Sequence, residues 1–169
     1  MNLKRASSSA LALRTAPVEP WRQEEWQRLW LSVQAKKWGA LAVVPAAAGA
    51  PPDFALNIAV TLARTGMMHL GVPIQVADAT RIQLSNVAPF IDEVWRYREG
   101  GELILVALGA MKESPVSASV AQSLDAALLC VLMDKMSWSD AKETVMKIGR
   151  DRFVGSVVFH ENELHKVQR

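Results

Sequence analysis

Five short apolar runs set the limits on this chain: Leu41–Val44, Pro73–Ala77, Leu103–Leu108, Ala126–Met133 and Phe153–Phe159. Each is the length of a strand, and together they are rich in β-branched residues. None shows the strict apolar–polar alternation of a strand with one wet face. Only strands covered on both sides can be apolar throughout, so the pattern predicts a parallel sheet between two helical layers.

The segments between the runs carry the helical signal. Glu19–Lys37 is expected to form the first helix, with Pro20 in its first turn and Trp26, Leu29, Trp30 and Val33 recurring at helical spacing. Asp53–Thr65 follows, with Gly66 as its expected C-cap. Asn86–Glu99 and the short Ser117–Leu124 come next. Ser137–Arg150 opens on Ser137 or Ser139 as N-cap, with Asp140 in the first turn. The predicted architecture is a three-layer α/β/α sandwich around a mainly parallel five-stranded sheet, preceded by an N-terminal helix. Domain organisation follows: a disordered leader over 1–18, a single domain over 19–160 and a polar tail over 161–169.

Bulk properties exclude several classes. A net charge of +2 is too small to argue for nucleic acid or an anionic membrane surface. The one cysteine, Cys130, rules out an internal disulfide and a cysteine zinc cluster, and it lies inside an apolar run as a buried thiol would. No apolar run reaches the roughly 18–20 residues that span a bilayer. The expected location is the cytoplasm.

The chemically telling stretch is residues 39–58. An apolar strand runs into a small-residue loop, Pro45-Ala46-Ala47-Ala48-Gly49-Ala50-Pro51-Pro52, and a helix begins near Asp53. That is the layout of a phosphate-binding loop, in which glycine backbones, a lysine and a Ser/Thr hydroxyl hold phosphate and magnesium.

Further residues carry a resemblance. Glu25-Trp26-Gln27-Arg28-Leu29-Trp30-Leu31-Ser32-Val33 is similar to the leading helix of bacterial tyrosine kinase domains. Ala55-Leu56-Asn57-Ile58-Ala59-Val60-Thr61-Leu62-Ala63-Arg64-Thr65-Gly66 resembles the helix after their phosphate loop. Val76–Arg81, Leu105–Ala110 and Phe153–Phe159 fall where that family, within the deviant-Walker ATPases, carries its later strand motifs. The resemblance spans roughly residues 20–160 and implies a P-loop NTPase-like fold.

Aligned in this way, the chemical motifs fail. Ala50 stands for a glycine, Pro51 for the lysine, Pro52 for the magnesium-binding hydroxyl residue, and Ala107 for the acid on the third strand. Each proline also removes an N–H. Asp53 is expected to cap the next helix while repelling phosphate. No catalytic residue, metal site or cofactor is therefore expected, and Pro45, Gly49, Ala50, Pro51, Pro52 and Asp53 form a degenerate loop. Tyr97 is the only tyrosine in these residues, so a counterpart of the tyrosine-rich tail of such kinases is not expected among them.

Other groups read as structural. Asp78 is expected to brace the turn before Arg81, and Asp92 and Glu93 to lie on a solvated face. Arg96-Tyr97-Arg98 is expected to be an ordinary helix end, and Glu143 with Lys147 a favourable i,i+4 pair. His69, His160 and His165 lack metal-ligand spacing. What remains is a pseudo-ATPase that works by protein contact, with the tryptophans Trp26, Trp30 and Trp38 as its expected contact surface if they are not simply core.

The resemblance implies partners such as an active ATPase relative or a membrane-associated complex, and homo-oligomers. By the same resemblance, the setting is exopolysaccharide or cellulose secretion. The alternatives are a cell-division or DNA-damage regulator, such as an SOS-type septation inhibitor, and a nucleotide binder with an altered pocket.

Overall fold

A computed structural model describes residues 19–161. The expected leader, and all of the tail beyond Glu161, including His165, lie outside the described residues. Five parallel strands form one sheet: β1 (Ala40–Pro45), β2 (Ile74–Ala79), β3 (Leu103–Leu108), β4 (Ala126–Leu132) and β5 (Phe153–Phe159), in the order β2-β3-β1-β4-β5. The helices are α1 (Glu24–Val33), α2 (Phe54–Leu70), α3 (Leu84–Glu99), α4 (Ser117–Ser123) and α5 (Trp138–Ile148).

Crossover handedness dictates the layers. The step from β1 to β2 runs toward one edge, and the three later steps all run the opposite way. Right-handed connections therefore put α2 on one face and α3, α4 and α5 on the other. The strand residues divide accordingly. Leu41, Val43, Leu105, Leu128 and Cys130 pack with α1 and α2. Ala40, Ala42, Val44, Val106 and Leu108 pack with Val94, Val120 and Ile148 of the other three helices. All six residues of β1 are buried, as a central parallel strand requires.

The first helix is shorter than its sequence pattern suggests. Pro20–Arg22 form a 3-10 turn, Gln23 is extended, and α1 starts at Glu24. Glu24 and Glu25 then sit in the first turn, where carboxylates favour the positive end of the helix. This helix covers the ground that α2 leaves open toward β5.

That duty corrects the expected contact surface. Trp26 is 5% exposed and Trp30 1%. Trp26 packs on Phe159 with ring centroids 5.7 Å apart, and Trp30 meets Trp38 edge-on at 6.0 Å. The Trp38 indole N–H donates to the Val33 carbonyl at 2.9 Å. The aromatic stripe closes the core, because α1 has no other apolar face to bury.

Gly66 is also reassigned. The helix α2 runs through it to Leu70, and Gly71, at φ 70°, makes the left-handed C-cap with its N–H on the Met67 carbonyl. Gly66 instead permits a close approach: a Cβ there would lie 2.5 Å from Trp30 Cη2 and 2.5 Å from Ile74 Cδ1. Among the described residues no helix is long and apolar enough to cross a membrane.

Candidate functional site at the carboxyl edge of the sheet

In open parallel sheets, ligands sit outside the carboxyl ends of the strands, where the chain reverses its direction of winding. Here that point lies between β1 and β3. A cleft of about 840 Å³ opens there, between the loops that follow β1, β2 and β3.

The wall after β1 is the Pro45–Asp53 loop. Ala46 donates its N–H to the Cys130 carbonyl at 2.8 Å, and its own carbonyl accepts the buried Thr144 hydroxyl at 2.8 Å. Ala46 and Ala47 are thereby held inside, while Gly49, Pro51, Pro52 and Asp53 face outward. Gly49 turns at φ 97°, close against the Lys135 carbonyl. The Phe54 N–H, at the start of α2, is bonded to the Pro51 carbonyl at 3.0 Å. Prolines have no N–H, so Pro51 and Pro52 contribute none at the helix start.

The expected side-chain cap at Asp53 is not formed. Its backbone is at φ −95°, ψ 11°, outside the extended conformation that aims an N-cap oxygen at the following N–H groups. Its backbone carbonyl still accepts from Asn57, and its carboxylate is exposed at the helix start.

The carboxyl end of β3, Val106-Ala107-Leu108, carries no acid. Ala107 is fully buried, in register with Val43 on one side and Asp78 on the other. Asp78 braces the turn: its Oδ1 accepts the Thr80 N–H at 3.0 Å and the Thr80 hydroxyl at 2.6 Å. Gly109 makes the β2 and β3 exits meet, since a Cβ there would lie 2.5 Å from the Thr80 carbonyl oxygen. The remaining lining is mainly apolar, with Ile82, Leu84, Leu108, Pro115 and Val116; Arg81 is its single cation and Glu113 its single acid. Leu84 stands on the rim, 77% exposed.

Elsewhere, burial pushes the Cys130 thiol far up from its usual range, as expected for a structural thiol. Asp92 and Glu93 are exposed, and Arg96 Nε donates to the Asp92 carbonyl at 3.4 Å. His69 and His160 are exposed. Among the described residues no three His, Cys, Asp or Glu side chains are grouped to hold a metal ion. Glu143 and Lys147 form their i,i+4 pair at 2.6 Å.

Three features escape the sequence pattern. Asp125 Oδ2 accepts from the Gly39 N–H at 2.8 Å, the Ala40 N–H at 2.9 Å and Arg98 Nε at 2.7 Å, which ties the entrance of β1 to the end of α3. Arg98 thus becomes a structural cation, its chain lying against Gly39 and its guanidinium 4.5 Å from the Trp95 ring centroid. Thr144 reaches from α5 to the loop after β1. Trp138, at the start of α5, is 84% exposed.

No family model matches the chain, and no curated protein does. A solved structure described as "BceF Tyrosine Kinase Domain" is similar to it, with a TM-score of 0.59 over 90% of this chain and 86% of that one. Sequence identity is 12%, so the likeness is one of fold. The chain has an α/β fold, a five-stranded parallel sheet between helices, like that of this tyrosine kinase domain.

Proposed function

We propose that this domain is a catalytically inactive relative of the kinase-type ATPases and acts by binding other proteins. The observation that carries this reading is the composition of the cleft walls. Where phosphate and magnesium would have to be held, the chain presents Ala50, Pro51 and Pro52, with the Asp53 carboxylate beside them and buried Ala107 on the third strand. Phosphoryl transfer rests almost wholly on positioned positive charge, N–H donors and metal. Arg81 alone supplies one charge, on the wall after β2, opposite the loop where the lysine belongs.

The test is calorimetric titration of the full chain with ATP and ADP in the presence of magnesium. The expected result is no binding; a Kd tighter than about 100 μM would overturn the reading and favour a nucleotide binder with an altered pocket. The setting we infer, from the resemblance of α1 and α2 to bacterial tyrosine kinase domains, is a cytoplasmic subunit of an exopolysaccharide- or cellulose-secretion assembly. Recovery of septation or DNA-repair proteins with the tagged chain, in place of polysaccharide machinery, would move it to the alternative, a division or DNA-damage regulator.

A further inference from the structure

A second hollow, of about 340 Å³, lies between the turn at Pro20–Arg22, α1 and α2. It shares no residue with the cleft at the carboxyl edge, and its size is that of a small-ligand site. Trp21, Trp30, Leu31 and Met68 supply its apolar wall.

One wall residue carries an unmet need. The Trp30 indole N–H is buried and has no hydrogen-bond partner. Its neighbour Trp38 has no such need, since the Val33 carbonyl accepts its N–H at 2.9 Å. The Trp30 ring cannot turn to find an acceptor: it is 1% exposed, stands edge-on to Trp38 and lies close over Gly66. A buried donor left unpaired is costly and rare in folded proteins, so it points to an acceptor that comes from outside the chain.

The charge around the hollow is one-sided. No Asp or Glu lines it, whereas Arg22 and His69 do. Arg22 gives its Nε to Glu19 at 2.5 Å, which leaves its terminal N–H groups for another partner. Arg64 stands 4.8 Å from the Trp21 ring centroid and has no carboxylate partner among the described residues. The hollow thus offers apolar surface, hydrogen-bond donors and positive charge, and its complement is apolar, accepting and negative.

We propose that this hollow binds a small organic carboxylic acid, its apolar body held by Trp21, Leu31 and Met68, one carboxylate oxygen on the Trp30 indole N–H and the other facing Arg22. Gln27, Leu31 and Met68 are all exposed, so an entering ligand can part them to reach the buried N–H. Hydrogen bonds to an ionised acceptor are about twice as strong as neutral ones, which favours the acid over its amide. The inference goes beyond the protein-binding reading above and does not depend on it.

The test titrates the full chain with phenylacetate, cinnamate and isovalerate while heteronuclear NMR follows the six tryptophan side-chain N–H signals. The expected result is a downfield movement of the Trp30 signal with at least one acid, while the Trp38 signal, already hydrogen-bonded, stays in place. The matched amide and amine, phenylacetamide and phenethylamine, should bind about tenfold more weakly than phenylacetate, or less well still. Met68 is 62% exposed, so Met68→Trp can fill the hollow without entering the core, and it should abolish the movement. Arg22→Glu, on the exposed turn, should weaken binding about tenfold by reversing the charge. An unmoved Trp30 signal with all three acids, a movement that persists in both variants, or equal binding of the amine overturns the proposal. None of these results touches ATP binding or partner capture, so failure here leaves the protein-binding reading standing.

Discussion

Gly66→Ala is the sharpest probe of how α1 is seated on α2. In an isolated helix the change should stabilise by about 1 kcal/mol, because alanine loses less backbone entropy. Here the new methyl would lie 2.5 Å from Trp30 Cη2, 2.7 Å from Trp30 Cζ2 and 2.5 Å from Ile74 Cδ1. Ordinary carbon contacts are about 3.5–4.0 Å, so each is short by about 1 Å. Ile74 can swing its terminal methyl away. The Trp30 ring cannot, since it is 1% exposed and wedged against Trp38.

Overpacking of this kind costs about 1–3 kcal/mol. Net of the helix gain, Gly66→Ala should destabilise by about 0–2 kcal/mol, which lowers the thermal midpoint by up to roughly 8 °C in a chain of this size. Urea unfolding followed by circular dichroism measures the change, with an unchanged m-value showing that only stability has moved. In a Trp30→Phe background the indole atoms Cη2 and Cζ2 are gone, and Gly66→Ala should become neutral or stabilising. A wild-type background in which Gly66→Ala stabilises would refute the packing of α1 described above.

Two other substitutions probe the ties around β1. Burial raises the pKa of Asp125, while the hydrogen bonds from Arg98, Ala40 N–H and Gly39 N–H lower it, and the net direction is down. A carboxyl whose folded pKa is depressed contributes stability above its unfolded pKa and loses it as pH falls through the folded value. Asp125→Asn should therefore destabilise at neutral pH, and the gap from wild type should close in acid; a pH series of urea midpoints reads this directly. Thr144→Val removes the buried hydroxyl that serves the Ala46 carbonyl and should cost about 1–3 kcal/mol. Hydrogen exchange should show faster opening of the loop after β1 in that variant, and unchanged exchange would discount the tie.

Much of the fold was legible because its signals are local. Leu103–Leu108 and Phe153–Phe159 are the strands the sequence predicts, and β4 ends only one residue earlier. The strands β3 and β4 are apolar because they are covered on both faces, whereas β5, at the sheet edge, leaves Gly155, Ser156 and Val158 exposed. The cap was legible to within two serines, Ser137 or Ser139, and the structure forms it at Ser137, its acceptor and donor lying three residues apart. That Pro51, Pro52 and Ala107 stand where the resemblance would put a lysine, a hydroxyl residue and an acid is likewise read from the residues alone.

What the sequence left open depends on partners far along the chain. An apolar stripe such as Trp26–Trp30–Val33 reads most simply as core but also suits an interface, and the position of α1 between α2 and β5 made it core. Gly66 looks like a helix end until Trp30 is set against it, thirty-six positions earlier in the chain. Asp125 has nothing nearby in sequence to mark it, because its donors come from Gly39, Ala40 and Arg98. Asp53 has the residue type of a cap but not the backbone, since the Pro51-Pro52 turn sets its φ and ψ. The amino-acid order by itself determined the layers and the strands, which are governed by short-range preference and burial. Which aromatic residues are spent inside, and which one, Trp138, is left outside, was decided only when the helices took their places on the sheet.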